Sequence, residues 1–441
     1  MSFNGTDGKN HPGTGDAVKG FIPTSRKEME ERGWDSLDII LVSGDTYYDT
    51  PYSGSAMIGR WLMHNGYRVG IIPQPSQEDI GKLGIPELFW SVSAGCVDSM
   101  VANRTANNKK RRHDDFTPGG RNERRPDRAT IVYTNMIKRF CKYKPIVLGG
   151  IEASLRRIAH YDGWTDTVRR SVLFDAKADY ITYGMAEFSN LELANALRDS
   201  ESTDGIRGIC YISGECPDDH IAVPSYEECL EDTEKFTEAY LTFSENCDPV
   251  TAKGLCQKHG NRFLVQNPPQ RDPTTEELDL FHSLGYMNEV HPSCIKDGYV
   301  KAADTIKNSV TTHRGCYGGC SFCSIAVHQG RRVISRSEDS IVKEVEEFAK
   351  KPGFNGIIYD LGGPTANMYG IECEKKITDG ACEDRGCLFP KVCKSLNVDH
   401  GRQIRLLERV LDVEGVRKVF VTSGIRYDMI LADGEHGKAY V

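Results

Sequence analysis

The chain has 441 residues, 55 Lys+Arg against 63 Asp+Glu for a net charge of −8, and 39% hydrophobic and 27% charged residues. That balance excludes a disordered or fibrous chain, and no apolar run reaches the ~18 residues that a membrane-spanning helix requires. The length suits two or three domains of about 100 to 200 residues each. The first twenty residues carry neither an apolar nor an Arg/Ser-rich amphipathic leader, so a cytoplasmic, reducing compartment is expected. There the 15 cysteines serve as core residues or metal ligands rather than as disulfides.

Residues 1–34 read as a polar tail. Residues 37–42 (LDIILV) form a buried strand that ends at Gly44 and Asp45, a helix follows from about 53 to 64, and residues 67–72 (YRVGII) are a second strand. Further strands at 145–148 and 178–183 end at Gly149-Gly150 and Gly184. Strands that alternate with helices and stop at glycine predict an α/β fold with a doubly wound parallel sheet over residues 35–215, whose ligands bind at the carboxyl ends of its strands. Residues 104–128 interrupt it with nine Lys/Arg against four Asp/Glu. With Phe116 alone available to stack on a base, this loop reads as solvated rather than as a nucleic-acid site.

Residues 216–304 are irregular, with an acidic helical stretch and a Pro-rich bend, and read as a connector. From 305 to 441 strand-helix alternation resumes. Strands are expected at 309–312, 356–361 and 416–422, with helices between them. Ser337 caps the first of these helices, and its Ile341, Val342, Val345 and Phe348 share one face.

Seven of the 15 cysteines fall between 316 and 393. Residues 314–323 (RGCYGGCSFC) set Cys316, Cys320 and Cys323 at C-x3-C-x2-C in a glycine loop after a strand. Structural zinc sites use four ligands, whereas a 4Fe-4S cluster on three cysteines keeps one iron open to a substrate or cofactor. A zinc loop or incidental thiols are the competing readings, opposed by the agreement of spacing, glycines, aromatic residue and preceding strand.

This loop resembles the defining motif of the radical S-adenosylmethionine (SAM) superfamily, C-x3-C-x-aromatic-C after the first strand of a partial (β/α) barrel. The resemblance implies that Cys316, Cys320 and Cys323 ligate a 4Fe-4S cluster, that SAM chelates the fourth iron, and that reductive cleavage gives a 5'-deoxyadenosyl radical that abstracts hydrogen. It also implies an electron donor such as flavodoxin or ferredoxin, and it places Phe322 near the adenine. Residues 328–331 (HQGR), 335–337, 362–369 (GGPTANMY) and 423–428 (SGIRYD), with 49–54, 125–128 and 149–154, narrow the resemblance to the YgiQ-type branch over residues 35–441. The branch gives neither a substrate nor a catalytic side chain. Gly362 and Gly363 stand where the superfamily has G-G-E. Pro364 and Thr365 replace the acidic residue, which leaves backbone carbonyls near Gly362 to receive the ammonium of SAM. His313 and His328 flank the motif, and a structural role is expected for both.

Cys373, Cys382, Cys387 and Cys393 follow at C-x8-C-x4-C-x5-C within an insertion at 366–400. Four thiols so close could hold zinc or an auxiliary iron-sulfur cluster that orders the insertion, or remain free. The first domain resembles the Rossmann-like cobalamin-binding module that precedes many radical SAM barrels. Residues 49–54 align with its D-x-H-x-x-G signature, but Pro51 stands where the cobalt-ligating histidine belongs, so a domain that keeps only the fold is favoured over one that binds cobalamin. Residues 305–441 number 137, against about 180 for six strand-helix units. The sequence is therefore expected to hold the first half of a radical SAM barrel. The expected activity is that of a radical SAM enzyme; the alternatives are a cobalamin-dependent radical SAM methylase and a non-catalytic metal-stabilised binding protein.

Overall fold

The structure, a computed structural model, describes residues 20–382 and 385–441. The first nineteen residues of the expected tail lie outside it. The rest of that stretch is ordered by a capping box in which Ser25 and Glu28 satisfy the first turn of helix Arg26–Glu30, and Ile22 is fully buried.

Strand Ile39–Ser43 is buried along its whole length because both faces of its sheet are covered. Ile39 and Leu41 point into one core with Leu62 and Leu193, and Ile40 and Val42 into another with Tyr133 and Ile137. Strands Val69–Pro73, Ile39–Ser43, Phe89–Ser93, Ile146–Gly149 and Tyr180–Thr182 are parallel neighbours in that order. Numbered along the chain, the order is second, first, third, fourth, fifth. This doubly wound arrangement places its switch point between the first and third strands.

The sheet does not stop there. Ile209–Ser213 pairs antiparallel with Tyr180–Thr182, and Arg262–Gln266, Leu255–His259 and Ile221–Val223 extend it to nine strands. Residues 216–304, expected as a connector, thus supply three strands of the main sheet. Their signal is weak because Gln257 and His259 on Leu255–His259 are polar yet buried, Gln257 satisfied by the Ala159 N–H and the Pro224 carbonyl.

In the second half Ser309–Thr311 pairs parallel with Asp360–Gly362, and Ile357–Ile358 pairs parallel with Lys418–Val419. The three expected strands therefore lie side by side in chain order. Helices Glu338–Ala349 and Gly401–Leu411 cover them, with Ile341, Val345, Phe348, Leu406 and Val410 buried against Val310 and Leu361. Ser337 caps the first helix as expected, accepting from the Ser340 N–H at 3.1 Å. Among the described residues no helix is long and apolar enough to cross a membrane.

Candidate functional site

The short antiparallel pair His313–Arg314 and Ile334–Ser335 closes the base of the cysteine loop. Within the loop, Cys316 N–H donates to the Gly330 carbonyl at 3.2 Å and Gly315 N–H to Gln329 Oε1 at 3.2 Å. Cys316, Cys320 and Cys323 are all half-buried, on one turn of chain. Gly318 lies against them: a Cβ there would stand 3.2 Å from Cys316 Sγ and 3.6 Å from Cys320 Sγ.

The sulfurs have donors. Gly318 N–H points to Cys316 Sγ at 3.3 Å, Thr365 Oγ1 lies 3.4 Å from the same sulfur, and Arg426 Nη1 lies 3.6 Å from Cys320 Sγ. Arg426 is itself oriented by Asp428, which accepts from its Nε at 3.0 Å, and by Asn367, whose side chain bonds both its N–H and its carbonyl. The hydrogen-bonded Asp428 carboxylate, with a smaller contribution from Cys320 and Cys316, raises the affinity of Arg426 for its proton. A 4Fe-4S cluster fits this donor set: soft sulfur ligands on a glycine loop, with N–H groups and a guanidinium to stabilise their negative charge.

Behind the loop, His313 is fully buried and bonded on both ring nitrogens, to Thr312 Oγ1 at 2.9 Å and to the Thr365 carbonyl at 3.1 Å. Burial pushes its pKa down to about 4, so it stays neutral, in line with the structural role expected of it. A Cβ on Gly363 would strike the His313 ring at 2.5 Å, which explains a glycine at that place. The Gly362 carbonyl is already engaged by the Thr312 N–H and hydroxyl, at 2.7 and 3.1 Å. That carbonyl is therefore taken up inside the protein, one among those near Gly362 expected to offer an acceptor; Gly362, Gly363 and Pro364 all border an open space.

That space is a cavity of about 770 Å³. The sheet contributes the carboxyl ends of its strands and their loops, including Ser93, Cys96 and Gly150. The second half contributes Ser324, Ile325 and His328 from the cysteine loop, with Gly363, Pro364 and Asp360. Arg314 ties the two halves by an ion pair to Glu187 at 2.8 Å, both side chains being buried.

Residues 21–309 match the family described as Radical SAM N-terminal. The UPF0313 protein FN0734 of Fusobacterium nucleatum subsp. nucleatum is 55% identical over 426 residues, which are 96% of this chain and 75% of that protein. The UPF0313 proteins of Thermotoga maritima and Methanosarcina mazei are 50% and 44% identical, over 94% and 93% of this chain and 74% and 72% of their own lengths. The chain belongs to the radical SAM family UPF0313. Among solved structures, the radical SAM methyltransferase TsrM from Kitasatospora setae, with tryptophan and a SAM analog bound, shares 16% identity at a TM-score of 0.40, covering 72% of this chain and 46% of that one. The cobalamin-dependent radical SAM enzyme OxsB, with aqua-cobalamin bound, shares 11% at 0.40, covering 90% and 45%.

For a UPF0313 protein the sequence-predicted residues divide clearly. Cys316, Cys320, Cys323, Gly363, Pro364 and Thr365 come together. Phe322 does not: it is 89% exposed and lies outside the cavity, because the turn from Cys320 to Cys323 faces its ring to the surface. Pro51 lines the cavity and offers no metal ligand there. In the basic loop, Arg125 is buried against Asp45 and Asp114, at 2.7 and 3.1 Å, and Arg104 pairs with Asp127 at 2.6 Å. These two arginines fold the loop onto the sheet, while Lys109, Lys110, Arg111, Arg112 and Arg121 are exposed.

Sequence reasoning missed three residues of the site. Arg426 lay inside a recognised motif but had no assigned role. Asp360 carries a carboxylate at the cavity wall, held by the Thr422 and Ser423 N–H groups at 2.8 and 3.2 Å. Cys96 is exposed and opens onto the cavity, where the Asp45 carboxylate accepts from its backbone N–H at 2.6 Å.

Proposed function

We propose that this chain binds a 4Fe-4S cluster through Cys316, Cys320 and Cys323, holds SAM in the adjoining cavity, and uses its reductive cleavage to abstract hydrogen from a substrate in that same cavity. The observation that carries the reading is the continuity of one cavity from the carboxyl ends of the doubly wound sheet to Ser324 and Ile325, which directly follow Cys323 in the chain, and to Gly363 and Pro364, which directly precede the Thr365 that touches Cys316. When bound, such a cluster supplies the electron that splits the SAM sulfonium, the hard chemistry that cofactors rather than side chains carry.

The chain's own residues supply the setting. Arg426 offsets the negative charge of the thiolates and fixes Cys320. Neutral His313 braces the Gly363 to Thr365 turn without adding a charge behind it. Asp360, its carboxylate fixed by two backbone N–H groups on one oxygen and the Ser423 hydroxyl on the other, sets a negative charge at the cavity wall for a cationic group of SAM or substrate. Ile325, Pro364, Tyr52 and Met185 give the cavity an apolar share that excludes water from a reactive intermediate. An external electron donor is required.

The test is anaerobic reconstitution with iron and sulfide, followed by SAM and dithionite. The expected products are 5'-deoxyadenosine and methionine from wild type and neither from the Cys316→Ala/Cys320→Ala/Cys323→Ala variant; equal product from both would overturn the reading. Because the sheet brings its switch-point loops to the cavity, where such sheets bind ligands, corrinoid-dependent methyl transfer is the second reading. Stoichiometric hydroxocobalamin binding, abolished by filling the cavity with Gly150→Trp, would favour it over simple hydrogen abstraction.

A further inference from the structure

Away from the cavity, Cys373, Cys382, Cys387 and Cys393 all border a second, small hollow of about 60 Å³. The chain makes this convergence deliberately at its ends: Cys393 N–H donates to the Cys387 carbonyl at 2.8 Å, and Asn397 N–H to the Glu372 carbonyl at 3.2 Å. Between those points the described chain has one helix of five residues, Glu374–Thr378, and few buried apolar side chains. A segment so poor in core and in secondary structure needs another source of order.

Cations border the hollow. Lys376 and Arg385 border it, and Lys376 is only 5% exposed, with its ammonium directed toward Cys387. The same ammonium donates to the Arg331 carbonyl at 2.9 Å and lies 5.6 Å from the Tyr317 ring centroid. Tyr317 Oη in turn donates to the Ile371 carbonyl at 3.1 Å. Tyr317 and Arg331 belong to the loop of the first three cysteines, and one apolar cluster is shared by Tyr317, Cys373, Leu388 and Leu396, with Cys316, Cys387 and Cys393 packed against it.

We propose that Cys373, Cys382, Cys387 and Cys393 hold a second iron-sulfur cluster, ligated by protein at all four positions, which anchors the back of the first cysteine loop. The spread of the sulfurs distinguishes this from zinc. A tetrahedral zinc ion with Zn–S bonds of about 2.3 Å draws its sulfurs to about 3.8 Å apart. Among the described residues the one set of three ligand atoms within 4.8 Å of one another is Asp399, Asp433 and His436, so no three of these sulfurs are that close. The sulfurs of Cys316, Cys320 and Cys323 do not all lie within 4.8 Å of one another either. Four thiolates with no open position suit a closed cluster that binds no substrate.

The decisive material is the Cys316→Ala/Cys320→Ala/Cys323→Ala variant, reconstituted anaerobically with iron, sulfide and zinc all available and then desalted. The expected result is iron and acid-labile sulfide retained in about a 1:1 ratio, as a cluster requires, with no stoichiometric zinc. Cys382→Ala/Cys393→Ala protein should lose that share of iron while keeping the SAM-responsive signal. Alkylation mapping of the folded triple variant covers the case in which that double variant misfolds: the four thiols should be protected until the cluster is oxidatively removed. Zinc without sulfide, or no metal with all four thiols freely alkylated, would overturn the proposal. Failure of the first site alone would appear differently, as wild type with no more iron than the triple variant.

Discussion

Arg426 reaches Cys320 across 106 residues of sequence, Nη1 to Sγ at 3.6 Å, and Asp428 and Asn367 hold it there. A guanidinium beside a thiolate stabilises the more negative, reduced state of whatever the thiolate ligates. Arg426→Gln should therefore lower the midpoint potential of the triad cluster, on the order of 50 mV for a charged hydrogen bond of ordinary strength. Arg426→Lys should recover part of the loss. Spectroelectrochemical titration without SAM checks this, and an unchanged potential would remove Arg426 from the site.

Gly318 is the residue whose missing side chain leaves room beside the sulfurs of Cys316 and Cys320. Gly318→Val should abolish stable iron loading at the triad and reduce SAM cleavage by about a hundredfold or more, as displacements near 1 Å at a reacting centre do. Gly319→Ala is the control, because a Cβ at Gly319 meets nothing within 4 Å. Iron content and 5'-deoxyadenosine formation, measured side by side, separate the two variants.

Asp49 matches the first position of a cofactor-binding signature, yet its carboxylate is spent internally. It accepts from Arg60 Nε at 2.8 Å, Tyr47 Oη at 3.1 Å and the Met287 N–H at 2.9 Å, the first two fully buried. Asp49→Ala leaves the Arg60 charge buried without its carboxylate and should cost about 3–5 kcal/mol of stability. Urea denaturation of the apo protein reads this directly. A loss confined to ligand binding, with stability intact, would show that the carboxylate faces a cofactor instead.

His259 stacks between Phe174 and Tyr226, ring centroids 4.5 and 5.6 Å away, and neither ring nitrogen has a protein partner. Burial, aided by the positive charge of Arg170, lowers its pKa from 6.5 to about 4. Between those values the unfolded chain binds the proton and the folded chain does not. Stability therefore falls as pH drops through that window, by up to about 1.4 kcal/mol per pH unit from this residue. His259→Phe should flatten the slope and raise stability at pH 5 relative to wild type. Denaturant midpoints at pH 7 and pH 5 for both proteins are the measurement.

The parallel strands were legible because residues 37–42 and 145–148 are continuous apolar runs that end in glycine, the mark of strands buried on both faces. The four strands that extend the sheet were hidden for the opposite reason. Leu255–His259 (LCQKH) is polar over its last three residues yet buries Gln257 and His259, so its pattern mimics a solvated segment. That Cys316, Cys320 and Cys323 share one loop was legible because they lie within eight residues of one another. Arg426 was not, because only the parallel pairing of Ile357–Ile358 with Lys418–Val419 brings the chain after the third strand back to the loop after the first. The position of Phe322 depended on the direction of a single side chain, which spacing does not encode.

The uninterrupted hydrogen bonding from Tyr180–Thr182 through Ile209–Ser213 to Arg262–Gln266 also decides how the molecule can be dissected. A fragment cut at residue 215 would expose the backbone edge of Ile209–Ser213 and invite self-association. One that continues through Gln266 keeps that edge covered. The nucleotide-fold half is thus a unit of roughly 250 residues for expression, crystallisation or ligand screening, and a shorter piece chosen by analogy with smaller doubly wound proteins would report on an artefact.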